Sequence, residues 1–198
     1  MDEGKHKKGR ETSEEWERES LNIFIVRHCK AVGQSPRANL TEEGDTQANR
    51  LAEFLYGKHI ESIYSSPFVR AINSITPLAQ ILKVNIITDD RLSERILCAG
   101  NQPNWREMLR NTFNDLELCY EGGESSVTAM NRALSVIKDV RESGLKNVVI
   151  VTHGNLMSLL LKYFDNNIGF EEWEDLSNPD VYHLQFDDAT PIIQRIWC

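Results

Sequence analysis

Two apolar runs, each followed directly by a histidine, constrain the fold of this chain most. Residues 21–26 form one run and precede Arg27 and His28, and residues 147–152 form the other and precede His153. Runs of this kind are typical of strands buried on both faces of a parallel sheet, whose ligand sites lie at the carboxyl ends of the strands. A single histidine after a strand would more often be a packed side chain. The pair predicts that both histidines lie at one edge of one sheet.

The rest of the chain alternates strands with helices. Further elements are predicted as helices at 41–56, 126–141 and 156–164, strands at 59–64 and 83–88, and two final β-like runs at 181–186 and 191–197. A weaker pattern over residues 96–120 indicates a loop-and-helix excursion above the site. The order predicts an α/β fold: a three-layer α/β/α sandwich with a mostly parallel central sheet and a C-terminal antiparallel hairpin.

The chain is predicted to contain one folded domain, over residues 21–198. Its 198 residues and 22.7 kDa suit one core of substantial size. Residues 1–20 are charged throughout, with Trp16 as their only aromatic side chain. So few apolar groups do not offset the entropy of ordering, which predicts a mobile extension or a short solvated helix. A partner-docking arm that uses Trp16 is the alternative.

Charge and composition limit the classes of partner and the cellular location that we expect. The net charge of -8 argues against nucleic acid or an anionic membrane as the main partner. No run of 18 apolar residues and no secretory signal is present, so we expect a soluble, cytoplasmic protein, monomeric or homodimeric. The four cysteines have no zinc-like spacing and are interpreted as reduced thiols. Neither a metal nor a cofactor is expected.

Several common hydrolase patterns are absent from the sequence. A cysteine phosphatase needs an arginine six residues after its nucleophile, but Ser35 stands there relative to Cys29. The serine-hydrolase elbow, the Walker loop and the zinc-protease motif are also missing. Cys29 is therefore interpreted as a packed side chain.

The residues that remain suit phosphoryl chemistry. Arg27 and Arg70 offer forked donors that match phosphate oxygens. Pro67 is predicted in the first turn of a helix, which would place Arg70 on the same turn near the edge of the sheet. A neutral imidazole can attack phosphorus without a metal and form a phosphohistidine. Glu94, on the loop after the third strand, is the candidate acid for the leaving group and the later base for water.

These motifs together resemble the histidine phosphatase superfamily, with its phosphoglycerate-mutase-like fold. The resemblance covers most of residues 21–198. It implies that His28 is the nucleophile and that Glu94 is the acid and base. It also implies that Arg27, Arg70 and His153 hold and stabilise the phosphoryl group. The motifs that carry it are Val26-Arg27-His28, residues 40–48, Ser65-Ser66-Pro67-Phe68-Val69-Arg70-Ala71, Leu92-Ser93-Glu94-Arg95, Gly123-Glu124-Ser125 and Val151-Thr152-His153-Gly154-Asn155.

The chain departs from the family pattern at the first loop. Cys29 stands where the family has glycine, and the asparagine that many members supply to the phosphate is missing. Gln34 or Ser35 is predicted to take the place of that asparagine. Asn155 stands where the acid phosphatase branch has aspartate and is predicted to contact phosphate, which keeps Glu94 as the best acid.

The resulting prediction is a metal-independent phosphatase of small phosphorylated metabolites. A phosphoglycerate-type mutase is the first alternative, although the long insertions and basic run of mutases are missing. A phosphatase of phosphohistidine proteins has a similarly short first loop, but the acid Glu94 argues against it. A phosphate-binding module without turnover is the alternative from another class.

Overall fold

A six-stranded mixed sheet with helices on both faces forms the body of the protein. The structure is a computed structural model, and it describes residues 20–197. The strand order is β3-β2-β4-β1-β5-β6, and the strands and helices are β1 Leu21–Arg27, α1 Glu42–Tyr56, β2 Ser62–Ser65, α2 Val69–Leu82, β3 Ile86–Thr88, α3 Trp105–Asn114, α4 Ser126–Glu142, β4 Asn147–Thr152, α5 Gly154–Phe164, α6 Phe170–Glu174, β5 Asp180–Phe186 and β6 Ile192–Arg195. The predicted three-layer α/β/α fold is confirmed.

Strand β1 shows why its sequence is apolar without alternation. Ile23 and Ile25 pack into the core on the face covered by α4 and α5, whereas Phe24 and Val26 pack into the core on the face covered by α1 and α2. All four side chains are buried. A central strand covered on both faces needs apolar side chains at every position.

The predicted helices at 41–56 and 126–141 are capped as their sequences indicate. Thr41 Oγ1 accepts a hydrogen bond from the Gly44 N–H at 3.0 Å, and Ser125 Oγ accepts one from the Thr128 N–H at 3.2 Å. Side-chain oxygens at these positions satisfy N–H groups that have no partner inside the helix.

Two predicted strands are shorter in the structure. The strand expected at 83–88 covers only Ile86–Thr88, because Lys83 adopts a left-handed conformation and caps the end of α2. The strand expected at 59–64 begins at Ser62, after a residue with positive φ at His59. A left-handed residue cannot continue a strand, so the pairing starts after it.

The predicted C-terminal hairpin is confirmed as β5 and β6, and it also joins the central sheet. Strand β5 pairs antiparallel with β1 and places Asp180 beside Arg27. Asp180 is fully buried and forms an ion pair with Arg195 at 2.6 Å. The pairing brings the turn before β5 to the carboxyl end of β1.

The predicted N-terminal extension, residues 1–20, lies outside the described residues except for Ser20, whose Oγ donates to Asp187 Oδ1 at 2.5 Å. Within residues 20–197, no helix has both the length and the apolar character that a membrane span requires.

Candidate active site

The parallel pairing of β1 with β4 brings the two histidines together. Arg27 is aligned with Thr152, and the His28 N–H donates to the Thr152 carbonyl at 3.1 Å. One residue further along each strand, the rings of His28 and His153 lie edge to face with centroids 5.1 Å apart. The predicted meeting of the two histidines at one sheet edge is therefore present in the structure.

The hydrogen bonds of His28 define which ring nitrogen carries the proton. Nδ1 lies 2.7 Å from the Cys29 carbonyl oxygen, which can only accept, so Nδ1 is assigned the proton. Nε2 then has a free lone pair and accepts from Arg70 Nε at 3.1 Å. Burial and the charges of Arg70 and Arg27, opposed by the Cys29 hydrogen bond, lower the pKa of His28 to about 4. The ring is neutral at physiological pH.

Arg70 is held against His28 by the loop after β1. Its side chain is 1 % exposed, and Nη1 donates to the carbonyls of Gln34 and Ser35 at 3.1 and 2.9 Å. The expectation that Pro67 occupies the first turn of α2 is wrong, since the helix begins at Val69. Its first N–H donates to the Pro36 carbonyl, so the loop, and not a bound anion, occupies this donor.

Arg27 lies across the start of α5. Its Nη1 donates to the Leu176 carbonyl at 2.7 Å, in the turn that β5 brings to this edge. A Cβ atom on Gly154 would lie 3.2 Å from Arg27 Nε, tighter than most such contacts. Glycine at this position therefore lets the guanidinium lie close to the helix.

Glu94 lies at the amino terminus of α5. Its carboxylate accepts hydrogen bonds from the backbone N–H groups of Arg95, Asn155 and Leu156, at 2.9, 3.3 and 3.1 Å. Burial raises the pKa of Glu94, and the three N–H donors and the charge of Arg70 oppose that increase. A carboxyl group with a raised pKa is suited to carry a proton to a leaving group.

His153 is fully buried beside His28. Its Nε2 lies 2.8 Å from Ser66 Oγ, and its Nδ1 has no partner among the described residues. Burial, together with the neighbouring His28, Arg70 and other arginines, lowers the pKa of His153 well below its ordinary value. When Ser66 donates to Nε2, His153 presents a free Nδ1–H. We refer to the five side chains as the histidine cluster: Arg27, His28, Arg70, Glu94 and His153.

A cavity of about 560 Å³ opens beside the cluster. Its wall includes Arg27, His28 and Glu94 from the cluster, and also Gln34 and Asn155. Among the described residues, the buried side-chain nitrogens without a partner are Arg27 Nε, Arg95 Nη2, His153 Nδ1 and Asn155 Nδ2. All four belong to this region. A buried donor without a partner costs roughly 1–3 kcal/mol, so this concentration is typical of a place that a polar ligand or water completes.

The other predicted positions have distinct places. Gln34 lies on the cavity wall, and its backbone carbonyl accepts a hydrogen bond from Arg70. Asn155 also lies on the wall and directs its backbone N–H to Glu94. Ser35 likewise contributes its carbonyl to Arg70 and is not on the wall.

Two further side chains lie off the cavity wall and have other surroundings. Cys29 is fully buried in the core under α1 and α2, and burial raises the pKa of its thiol to about 11. Its interpretation as a packed side chain agrees with this place. Glu124, the carboxylate of the Gly123-Glu124-Ser125 motif, is bound by Arg132 through two contacts of 2.8 and 2.9 Å and does not line the cavity.

The sequence did not single out Asn178 or Trp173 as residues of the cavity wall, whereas Trp105 lies in the excursion predicted over residues 96–120. Asn178 donates from Nδ2 to the His28 carbonyl at 2.7 Å, and Trp105 and Trp173 face the same cavity. The Asn-Pro pair at 178–179 signals a turn, but only the pairing of β5 with β1 places that turn beside His28. No local signal connects the two tryptophans.

The described residues, 20–197, contain no group of three histidine, cysteine, aspartate or glutamate side chains arranged to hold a metal ion. The cluster itself has two histidines, two arginines and one carboxyl group. The arginines supply the positive charge at this site.

Comparison with known proteins agrees with this geometry. The model of the histidine phosphatase superfamily (branch 1) matches residues 23–198. Phosphoserine phosphatase 1 of Hydrogenobacter thermophilus is 28% identical over 149 residues, which cover 67% of this chain and 71% of that protein.

Two solved structures share the fold. Bacillus stearothermophilus YhfR superposes with a TM-score of 0.73 at 22% identity and covers 88% of this chain and 96% of its own. Mycobacterial glucosyl-3-phosphoglycerate phosphatase superposes with a TM-score of 0.72 at 21% identity and covers 90% of this chain and 98% of its own. The chain therefore belongs to the histidine phosphatase superfamily, branch 1, and the predicted class of enzyme, a phosphatase, is confirmed with it.

Proposed function

We propose that this protein is a metal-independent phosphomonoesterase that hydrolyses small phosphorylated metabolites through a phosphohistidine on His28. The observation that carries the proposal is the state of His28. Its Nδ1 proton is held by the Cys29 carbonyl, and its Nε2 lone pair faces the guanidinium of Arg70. A neutral imidazole beside a phosphate-binding arginine has the nucleophile and the electrostatic support that phosphoryl transfer needs.

In the first step, the phosphoryl group of the substrate binds to Arg27 and Arg70. A phosphate oxygen replaces His28 Nε2 as the acceptor of the Arg70 Nε–H, which frees the lone pair. Nε2 then attacks phosphorus, and the bond between phosphorus and the ester oxygen breaks. His153 offers a further N–H to the transferring group, since its Nδ1 has no other partner.

Glu94 supplies the proton that the departing alkoxide needs. Its raised pKa favours the protonated form that this step requires. Once ionised, the same carboxylate removes a proton from the water that attacks the phosphohistidine. The second step releases inorganic phosphate and restores neutral His28 and protonated Glu94.

Phosphoenzyme trapping tests the nucleophile. Protein quenched during turnover of a labelled phosphomonoester is expected to carry an acid-labile, base-stable label, and His28→Ala is expected to carry none and to lose about a thousandfold or more in rate. Retention of the label in His28→Ala would refute the assignment. Cys29→Ala is the matched control, since it removes the neighbouring buried thiol, and it is expected to keep the label.

The metal requirement is tested in the same assay. Activity is expected to survive exhaustive EDTA treatment, because the described residues of the site include no set of metal ligands. A strict need for added magnesium, manganese or zinc would overturn the mechanism. Transfer of the label to an acceptor metabolite in place of water would favour the mutase, and absence of release from p-nitrophenyl phosphate would favour a binding module.

A further inference from the structure

The cavity has an apolar side that the phosphoryl chemistry does not use. Leu97, Trp105, Leu109 and Trp173 line the same cavity as His28 and Glu94. We call these four residues the aromatic wall. The two indole rings meet edge to face, with centroids 6.1 Å apart and planes at 84°. Trp105 is 46 % exposed, although large aromatic side chains are usually covered.

The aromatic wall is fixed to the body of the protein. Trp173 packs against Phe170, which is buried, at a centroid distance of 5.2 Å. The guanidinium of Arg110 lies 4.1 Å from the Phe170 ring and forms an ion pair with Glu171 at 2.6 Å. These contacts connect α3 to α6, so the two tryptophans form a preorganised surface.

Apart from Arg27, which is assigned to the phosphoryl group, the cations on the cavity wall use most of their donors on other parts of the protein. Lys30 forms an ion pair with Glu43. Arg95 donates from Nε to the Glu124 carbonyl and from Nη1 to Thr112 and Ser126, and its remaining Nη2 is buried. A carboxylate on a substrate would need to displace these contacts. The wall therefore offers ring surface to a ligand more readily than it offers a free cation.

A cationic organic group is also disfavoured. Indole rings attract cations, but Arg27, Lys30 and Arg95 all lie on this cavity, against the single carboxylate Glu94. The net positive charge of the wall opposes a second positive charge. A neutral aromatic ring can pack against the indoles and is not repelled by the positive charge of the wall.

The size of the cavity agrees with a substrate larger than a three-carbon ester. Its volume of about 560 Å³ falls within the range of about 300–1,000 Å³ that pockets for drug-sized ligands occupy. We propose that the protein acts on phosphomonoesters whose organic part is a neutral aromatic group, which packs against Trp105 and Trp173 while the phosphoryl group meets His28. This inference rests on the proposed phosphatase function and adds its substrate class.

Three substrates whose leaving groups are all primary alkoxides separate recognition of the ring from the chemistry of the leaving group. They are benzyl phosphate, n-propyl phosphate and O-phosphoserine. The wild-type protein is expected to show a kcat/KM for benzyl phosphate about tenfold or more above the other two, the scale of one aromatic contact together with its buried area. Trp105→Ala and Trp173→Ala are expected to remove this preference and to leave the inhibition constant of inorganic phosphate unchanged.

Tyr163→Ala is the matched control, since Tyr163 is 57 % exposed on α5 and does not line this cavity. It is expected to leave all three rates unchanged. If circular dichroism shows that an alanine variant is unfolded, Trp105→Leu or Trp173→Leu replaces it. The ratio of kcat/KM for benzyl phosphate to that for n-propyl phosphate in the wild type still tests the inference without any variant.

Equal kcat/KM values for benzyl and propyl phosphate in the wild type would overturn the inference, as would a preference for O-phosphoserine, which would indicate carboxylate recognition. An equal loss on all three substrates in the tryptophan variants would also overturn it. In each of these cases phosphate is still released, so the phosphatase proposal stands. Absence of release from all three substrates and from p-nitrophenyl phosphate would refute both.

Discussion

Three side chains of the histidine cluster and all four of the aromatic wall line one cavity, but the two groups are built differently. In the cluster, the side chains lie at strand ends or at helix starts next to the sheet, and hydrogen bonds hold them, as the Cys29 carbonyl holds His28 and the Ser66 hydroxyl holds His153. In the wall, the tryptophans come from α3 and α6, outside the sheet, and are held by ring contacts and ion pairs. The comparison teaches that the sheet positions the residues of the proposed chemistry, whereas α3 and α6 position the residues of the proposed substrate selectivity.

Of the changes that separate the cluster from the wall, Glu94→Gln is expected to have the largest effect, and it changes the cluster alone. A general acid contributes typically about a hundredfold to ten-thousandfold, and most where the leaving group is most basic. In a single turnover, phosphoenzyme formation from benzyl phosphate is therefore expected to fall by about a hundredfold or more. The loss with p-nitrophenyl phosphate should be much smaller, since its phenolate leaves readily.

The control for this experiment is Glu124→Gln, which removes a carboxylate that Arg132 binds outside the cavity. It is expected to leave both rates of phosphoenzyme formation near those of the wild type. Equal losses on the two substrates in Glu94→Gln would reject Glu94 as the acid.

A smaller effect is expected from pH, and it should act on the cluster without acting on the wall. His28 loses its lone pair to a proton only below its pKa of about 4, so phosphoenzyme formation is expected to fall as the pH drops through that value. Glu94 must be protonated, so the rate should also fall at high pH, with a limb above the ordinary pKa of glutamate. The pH profile of single-turnover rates is therefore expected to be bell-shaped.

Two comparisons sharpen the pH experiment. Glu94→Gln is expected to lose the high-pH limb and to keep the low-pH limb. The ratio of benzyl to propyl phosphate rates is expected to stay constant across the profile, because the aromatic wall contains no group that titrates. A low-pH limb near the ordinary pKa of histidine would contradict the burial of His28.

The smallest effect is expected from removal of the N-terminal segment. Deletion of residues 1–19 keeps Ser20 and its hydrogen bond with Asp187. Because the segment has few apolar side chains, we expect kcat/KM on benzyl and propyl phosphate to change by less than about twofold, the scale of a surface change of roughly 0.5 kcal/mol. A loss of activity, or of several degrees in melting temperature, would assign Trp16 and its neighbours a structural role.

Much of the cluster could be predicted because its signals are local. His28 and His153 each follow an apolar strand, and parallel pairing leaves only one edge of the sheet for both. Arg70 was predicted at the sheet edge, yet the helix start before it was misplaced, because Pro67 resembles a first-turn proline. The Ser66 hydroxyl accepts from the Phe68 N–H at 3.2 Å, in the bend that delays the helix.

The sequence by itself determined the alternation of the main strands and helices, the two histidines at the ends of β1 and β4, and the family motifs around them. Those features depend on the periodicity of side chains and on residues close together in the chain. Only the tertiary structure decided that Asn178 supports the His28 carbonyl and that Trp105 and Trp173 share a wall. Their positions follow from the antiparallel pairing of β5 with β1 and from packing between α3 and α6, and contacts between distant segments leave no periodic signal in either segment.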